Sequence, residues 1–274
     1  MSYPKTALIS DLHGNWPALE VAVADARARG IERFVCLGDV VGYGARPREC
    51  LELVMGLIDP SSEAGNGLVP GLCLQGNHEY ALLHSAEDFN PNARAAIEWT
   101  RGAISTGVDA ARADQYWEFL GKLEPLGVET GAMYAHGSPR DPVREYMLPR
   151  DSRDAAKMKA VFARMRPFDA QSAFACFVGH SHVPAIFYED GRFYRPKQTE
   201  GPYALAATAE NRALVNVGSV GQPRDGDPRL SYAIFDGANV SFVRLEYDVA
   251  RAQADIRAVS ELPVYLADRL EKGQ

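Results

Sequence analysis

The chain has 274 residues, 46% of them hydrophobic, and a formal net charge of −7. That is enough apolar material for a sizeable core, which excludes general disorder. The acidic balance excludes a general attraction to nucleic acid or to an anionic membrane surface.

No uninterrupted apolar stretch approaches the ~20 residues needed to span a bilayer. The N-terminus MSYPKTALIS lacks the basic region and apolar core of a signal peptide. The four cysteines, Cys36, Cys50, Cys73 and Cys176, form no CxxC pair and read as small reduced core residues of a cytoplasmic protein.

KTALIS (5–10) predicts a buried strand. A helix over 15–30 follows, with Asn15 as its cap, Pro17 in its first turn and Gly30 at its end; Leu19, Val23 and Ala26 share one face. RFVCLG (33–38) is a second strand, 46–58 a second helix with Pro47 in its first turn, and GLCLQG (71–76) a third strand. This β-α-β-α-β order predicts an α/β fold with parallel strands whose C-terminal loops face a common crevice.

Residues 79–124 are mostly helical, clearest over 90–105 and 109–124, each with a good capping residue. Strand character returns over 127–138, and 151–165 predicts a helix capped by Asp151 or Ser152. After that, strands dominate: AFACFVG (173–179), a hairpin over 184–196 turning at Glu-Asp-Gly, ALVNVGS (213–219), and a hairpin over 230–247 turning at Asp-Gly. The tail from 248 reads as helix.

Five of the six histidines sit at or just beyond the end of an apolar strand-like run. ALISDLHGN delivers Asp11 and His13, VCLGDVVGYG delivers Asp39, LCLQGNHEY delivers Asn77 and His78, AMYAHGS delivers His136, and FACFVGHSHVP delivers His180 and His182. Strand ends hold ligands rigidly, and the adjoining glycines permit sharp turns and close approach. Imidazole with carboxylate suits manganese, iron, zinc or nickel rather than calcium. Asp11 and His13, and likewise His180 and His182, lie two apart and in extended chain would point to one side. Asp11, His13, Asp39, Asn77, His136, His180 and His182 are too many ligands for one tetrahedral ion. They fit two ions that share a carboxylate, roughly ~3.5–4 Å apart. His84 lies in the helical stretch and reads as a surface or structural residue.

DLHGN, GDVVGYG, GNHE, HGS and GHSH together resemble the five signature blocks of calcineurin-like metallophosphoesterases, nearest to their small prokaryotic branch. VNVGSVGQPRDGDP (215–228) resembles a further stretch of that branch, so the resemblance covers most of the chain. It implies one metallophosphoesterase domain over 1–274 with a four-layer α/β/β/α sandwich of two mixed sheets, and 90–124 as a candidate cap. It also implies one metal on Asp11, His13, Asp39 and His182, and another on Asp39, Asn77, His136 and His180. Asp39 and a water or hydroxide would bridge them. Manganese is the first expectation for both ions, with iron, zinc or nickel as alternatives.

The expected activity is phosphoester hydrolysis, phosphatase or phosphodiesterase, on a small phosphoester, a nucleotide or a phosphoprotein. The resemblance makes His78 the catalytic residue that protonates the leaving group or stabilises the transition state. Glu79 is expected to support the site or to start a helix. The protein-phosphatase members carry Asp-Arg where this chain has Gly42 and Tyr43. That acid would pair with the histidine and that arginine would grip phosphate, so phosphate must be gripped from elsewhere. Arg140 and Arg224 are the candidates, weighed against a surface-loop salt bridge to Asp141 or Asp225, and Arg46 is a third, weaker one; Tyr43 reads as packing. The alternative is a non-catalytic metal-binding scaffold of the same fold, which the full set of ligands and the intact His78 oppose. A metallo-β-lactamase type would need an HxHxDH block, which is absent.

Overall fold

The computed structural model describes residues 3–129, 131–165, 174–205 and 211–274. Thr130 and Ala173, inside two predicted strands, lie outside them. In chain order the elements are β1 (Thr6–Ile9), α1 (Trp16–Ala28), β2 (Arg33–Cys36), α2 (Pro47–Ile58), β3 (Leu72–Cys73), α3 (Asn77–Leu83), α4 (Pro91–Ser105) and α5 (Ala110–Gly121). Then come β4 (Leu126–Glu129), β5 (Ala132–Ala135), α6 (Ala155–Arg164), β6 (Ala175–Val178), β7 (Ala185–Tyr188), β8 (Phe193–Tyr194) and β9 (Glu200–Ala204). β10 (Ala213–Asn216), β11 (Leu230–Phe235), β12 (Asn239–Leu245), α7 (Val249–Arg257) and α8 (Tyr265–Asp268) complete the series.

The strands form two six-stranded sheets, in the orders β3-β2-β1-β11-β12-β9 and β4-β5-β6-β10-β7-β8. β1, β2 and β3 run parallel, as do β5, β6 and β10; the remaining pairs are antiparallel. Both sheets are therefore mixed.

Alternation along the central strands explains the layering, because successive side chains leave opposite faces. Leu8, Val35 and Leu37 meet Tyr134, Phe177 and Val215 in the core between the sheets. Their neighbours Ala7, Ile9, Phe34 and Cys36 turn outward onto α1, α2, α4 and α5. On the other sheet, Met133, Cys176 and Val178 turn outward onto Val161 and Phe162 of α6. Strands covered on both faces read as continuous apolar runs rather than alternating ones. The expected four-layer sandwich is the observed fold. All four cysteines are unpaired and buried.

The caps follow the sequence in most places. Asn15, Asn90 and Asp109 accept hydrogen bonds from the backbone N–H three residues on, at 3.2, 3.1 and 2.9 Å. The helix predicted over 151–165 is different. Residues 149–153 form a 3-10 turn, and α6 starts at Ala155 with Asp154 as its cap, accepting from the Lys157 N–H at 2.9 Å. Asp151 closes the preceding turn instead, taking the Leu148 N–H and the Lys157 ammonium. β9 forms against local propensity, since Gly201 and Pro202 argue against a strand; it lies at the sheet edge, where proline is tolerated.

Candidate metal centre

The seven expected ligands converge where the C-terminal ends of the two parallel strand sets meet. β1 leads to Asp11 and His13, β2 to Asp39, β3 to Asn77, β5 to His136, and β6 to His180 and His182. Asp11, His13, Asp39 and His182 form one buried group whose ligand atoms all lie within 4.8 Å of one another. Asp39, His136 and His180 form a second such group, and Asn77 Oδ1 stands 3.0 Å from His136 Nε2 beside it. Asp39 belongs to both: its Oδ2 lies 3.7 Å from His13 Nε2 and 3.3 Å from His136 Nε2. Its other oxygen accepts the His78 N–H at 2.9 Å, which fixes the carboxylate.

The convergence is not achieved by extended chain, as the two-residue spacing suggested. β1 and β6 end two residues before Asp11 and His180. Asp11, His13, His180 and His182 all have positive φ, between 48° and 63°. With Asp39 (54°) and Tyr43 (62°) they are the only non-glycine residues of that kind among the described residues. Such backbone costs on the order of 1–3 kcal/mol per residue and gathers at functional sites; Asp and His tolerate it better than most residues. Hydrogen bonds from the loops secure it. His13 N–H donates to Asp39 O at 2.9 Å, His180 N–H donates to the Asp11 carboxylate, and Ser219 Oγ–H donates to Asp11 O at 2.9 Å.

Gly76 is required by close approach, since a Cβ there would stand 2.2 Å from Asp39 Oδ1. Glu79 gathers three backbone N–H groups, from Gly76, Asp39 and Val41, at 2.8–3.1 Å. It thereby clamps the turn that carries Asp39 onto the start of α3. Burial, and then the Asp39 charge, push its carboxyl up to about 7 against those donors.

The donor set fits divalent metal ions. Each of the four imidazoles has one nitrogen against a backbone carbonyl: His13 Nδ1 on Val41 O (3.2 Å), His136 Nδ1 on Leu37 O (3.0 Å), His182 Nδ1 on Gln222 O (2.5 Å), and His180 Nε2 on Arg144 O (3.1 Å). A carbonyl only accepts, so those nitrogens carry the protons. The other nitrogens then present lone pairs inward, His13 Nε2 to His182 Nε2 at 3.2 Å and His136 Nε2 to His180 Nδ1 at 3.1 Å. Lone pairs face to face repel unless a cation lies between them. The two buried carboxylates ask for positive charge too. Without a metal ion a proton takes that place on His136 Nε2: burial opposes the charged ring, but Asp39 outweighs it and lifts that imidazole to about 9, and a bound ion would displace this proton. Fixed outer contacts of this sort are the usual means of setting tautomer and ring orientation in metal sites.

The ring of His78 is buried yet lines a cavity of about 260 Å³ over the cluster. His13, Tyr43 and Phe89 wall it, with ring centroids at 4.7, 4.5 and 5.2 Å. Gly42 lies against its Nδ1, where a Cβ would stand only 2.1 Å away, and that nitrogen has no hydrogen-bond partner among the described residues. Burial pushes the imidazole down to about 4, so it is neutral at pH 7.

Arg224 lines the cavity; Arg140 does not. Arg140 is held by Glu145, Nη2 to Oε1 at 2.7 Å and Nε to Oε2 at 3.1 Å, and Arg46 by Asp255 and Glu49. Their surface-loop alternative prevails, although Asp141 is not the partner. Asp225 pairs with Arg244, leaving Arg224 to the cavity. Tyr43 does pack, against His13 and His78, and it also reaches the cavity wall. His84 is exposed. α4 and α5 pack on the first sheet through Ile97, Ile104, Tyr116 and Leu120, while the segment before α4 brings Ser85, Asp88, Phe89 and Asn90 to the cavity.

Sequence reasoning missed Tyr146, which stacks on His180 at 3.7 Å, and Asn216, whose amide donates to Gly179 O and Ser181 Oγ and braces the His180–His182 turn. Asn216 sits in the stretch 215–228, so the motif was visible but its use was not.

Comparison with known proteins gives the family. The family model described as calcineurin-like phosphoesterase matches residues 4–184. An uncharacterized protein of Methanocaldococcus jannaschii is 34% identical over 278 residues, covering 98% of each chain. The crystal structure of a metallophosphoesterase from Sphaerobacter thermophilus is similar over 99% of each chain, with 36% identity and a TM-score of 0.77. A hypothetical protein from Pyrococcus horikoshii shares the fold over 98% of each chain, with a TM-score of 0.72 at 20% identity. No helix among the described residues is long and apolar enough to cross a membrane. With its signature turns folded into one buried cluster of carboxylates and imidazoles, the chain belongs to the calcineurin-like phosphoesterase family and is a metal-dependent phosphoesterase.

Proposed function

We propose that the chain hydrolyses phosphoesters with two divalent ions, manganese foremost, held in the two groups that share Asp39. Asp11, His13, Asp39 and His182 would hold one ion, and Asp39, Asn77, His136 and His180 the other. The observation that carries this is the position of Asp39 Oδ2, within 3.7 Å of an inward imidazole nitrogen of each group. Divalent ions held by these residues would acidify a water for attack on phosphorus and neutralise the phosphoryl oxygens.

The protein's own groups do the rest. The four backbone carbonyls hold the imidazoles in the ligating tautomer. His78, neutral and walled by rings, directs its cavity-side N–H at the leaving oxygen and stabilises the charge that develops there by a hydrogen bond. Arg224 binds a phosphoryl oxygen in place of the arginine that protein-phosphatase relatives carry at the position of Tyr43. Phe89 and Tyr146 exclude water from the cavity wall. The segment 85–90 forms the rim beside α4 and selects the substrate, a small phosphoester or nucleotide in preference to a phosphoprotein. Buried, unpaired cysteines support a cytoplasmic setting.

The test is hydrolysis of a chromogenic phosphomonoester and a chromogenic phosphodiester with added manganese. Asp39→Asn should abolish turnover, and His78→Ala should lower kcat by ~10²–10⁴-fold. A wild-type protein inert on both substrates with every divalent metal would sink the proposal.

A further inference from the structure

Beside the cavity over the cluster lies an outer lobe of about 420 Å³. Tyr43, Asn90, Tyr146 and Arg224 border both spaces, and the C-terminal segment adds Tyr265 and Arg269 to the outer one. None of the nine residues lining that lobe is acidic, on a chain with net charge −7.

Two arginines dominate it. The guanidinium carbons of Arg224 and Arg269 stand over the same Tyr43 ring, 5.8 and 5.6 Å from its centroid, and Arg269 also stands 5.5 Å from the Tyr265 centroid. Most other arginines near a loop or helix end find a carboxylate: Arg46, Arg229, Arg244, Arg251 and Arg257 all do. Among the described residues, neither Arg224 nor Arg269 has an Asp or Glu carboxylate within ion-pair distance. Arg224 donates to Gln222 Oε1 at 2.8 and 3.3 Å, and Arg269 Nε donates to the backbone oxygen of Gln274 at 2.5 Å. Burial, and then the charge of Arg224, hold the Arg269 guanidinium below the ordinary arginine value. Guanidiniums with no Asp or Glu carboxylate at hand favour an anion in the space they border.

The packing that brings them together is built for it. Leu266, Ala267 and Leu270 pack with Ala93, Ala96 and Tyr43 in one buried cluster, so α8 is anchored to α4 beside the cavity. Tyr43 stands between the two spaces: its ring meets His13 and His78, and it lines the outer space with both arginines. Tyr146 and Tyr265, 43% and 51% exposed, offer flat aromatic surfaces along the same space.

We propose that Arg269 forms a second anion subsite beside Arg224, and that the substrate is a nucleotide-like phosphoester bearing another phosphate a short linker away from the one Arg224 binds over the cluster. This rests on the reading of the metal cluster as the place of phosphoester cleavage. The second phosphate lies by Arg269 in the outer space while Arg224, which borders both spaces, holds the first, and a planar base finds Tyr146 or Tyr265.

The test is calorimetric titration of the metal-free protein with adenosine 5′-monophosphate and with adenosine 3′,5′-bisphosphate. The wild type should bind the bisphosphate at least tenfold more tightly. Arg269→Gln should remove most of that preference, Arg224→Gln should weaken both ligands, and Arg269→Lys should keep part of the preference. A role for Arg269 confined to tying down the chain end through Gln274 would move thermal stability and leave the preference intact. Equal affinity of the wild type for the two ligands, or a preference that survives in Arg269→Gln, overturns the proposal. The titration needs neither metal nor turnover. A wild type that hydrolyses nothing would therefore sink the proposed reaction and leave the measured preference for the bisphosphate standing.

Discussion

Gly42→Ala tests how His78 is seated. Gly42 has φ +87°, and a Cβ on it would stand 2.1 Å from His78 Nδ1 and 3.0 Å from two ring carbons. The substitution therefore carries two costs. Left-handed backbone costs a non-glycine residue about 1–2 kcal/mol. Forcing a ring out of a filled site costs about 1–3 kcal/mol more. Gly191→Ala separates them, because Gly191 has nearly the same φ, +89°, and nothing within 4 Å of its ideal Cβ. Gly191→Ala should lose only the backbone part, and Gly42→Ala roughly 2–5 kcal/mol in all. At about 2–4 °C per kcal/mol for a chain of this size, the larger loss lowers Tm by roughly 5–15 °C. Calorimetry on both variants, with kcat for a chromogenic phosphoester, gives the comparison. Displacement of His78 should also lower kcat at least tenfold in Gly42→Ala and leave it unchanged in Gly191→Ala. If the two variants are equally stable and equally active, His78 does not rest on Gly42, and its role as the hydrogen-bond donor to the leaving oxygen loses its structural basis.

Three more predictions concern the supports of the cluster. Asn216→Ala strips Gly179 O, Ser181 Oγ and the Gly218 N–H of their partner and should cost about 1–3 kcal/mol. It should also weaken manganese binding by ~10–100-fold, measured by calorimetric titration. Glu79→Gln places an amide N–H₂ against backbone N–H donors and should lower the denaturant midpoint by a loss of about 1–3 kcal/mol. Manganese at one hundred times its Kd should raise stability by about 2.7 kcal/mol per site, read as a thermal shift that a chelator reverses.

Much of the site was legible because each ligand is local to a strand end. An apolar run, a glycine and a metal-binding side chain recur in one short window, and such windows carry their meaning without tertiary context. The strands themselves were legible for a related reason: burial on both faces makes Thr6–Ile9, Arg33–Cys36 and Ala175–Val178 almost uniformly buried, so they stand out as blocks. What escaped depends on partners distant in the chain. The carbonyls of Leu37, Val41, Arg144 and Gln222 fix the imidazoles, and a backbone carbonyl has no signature in a sequence. The positive φ values of Asp11, His13, His180 and His182 come from hydrogen bonds between loops, whereas a two-residue spacing viewed alone suggests extended chain. β9 contains Gly201 and Pro202, which local propensity rejects and an edge position accepts. Asp151 reads as a cap because it precedes a helical pattern; the chain first makes a 3-10 turn and gives the cap to Asp154. Arg269 lies 45 residues from Arg224 in a different element, and only the packing of Leu266, Ala267 and Leu270 brings it to the cavity.

The central claim is that two ions share Asp39, and metal stoichiometry tests it most directly. Calorimetric titration of the metal-free protein with manganese, checked by elemental analysis of the loaded protein, should give two ions per chain. Asp39→Asn should lose both high-affinity sites, and His13→Ala should retain the ion on the His136–His180 side. A wild-type stoichiometry of one, or two sites that persist unchanged in Asp39→Asn, would contradict the account.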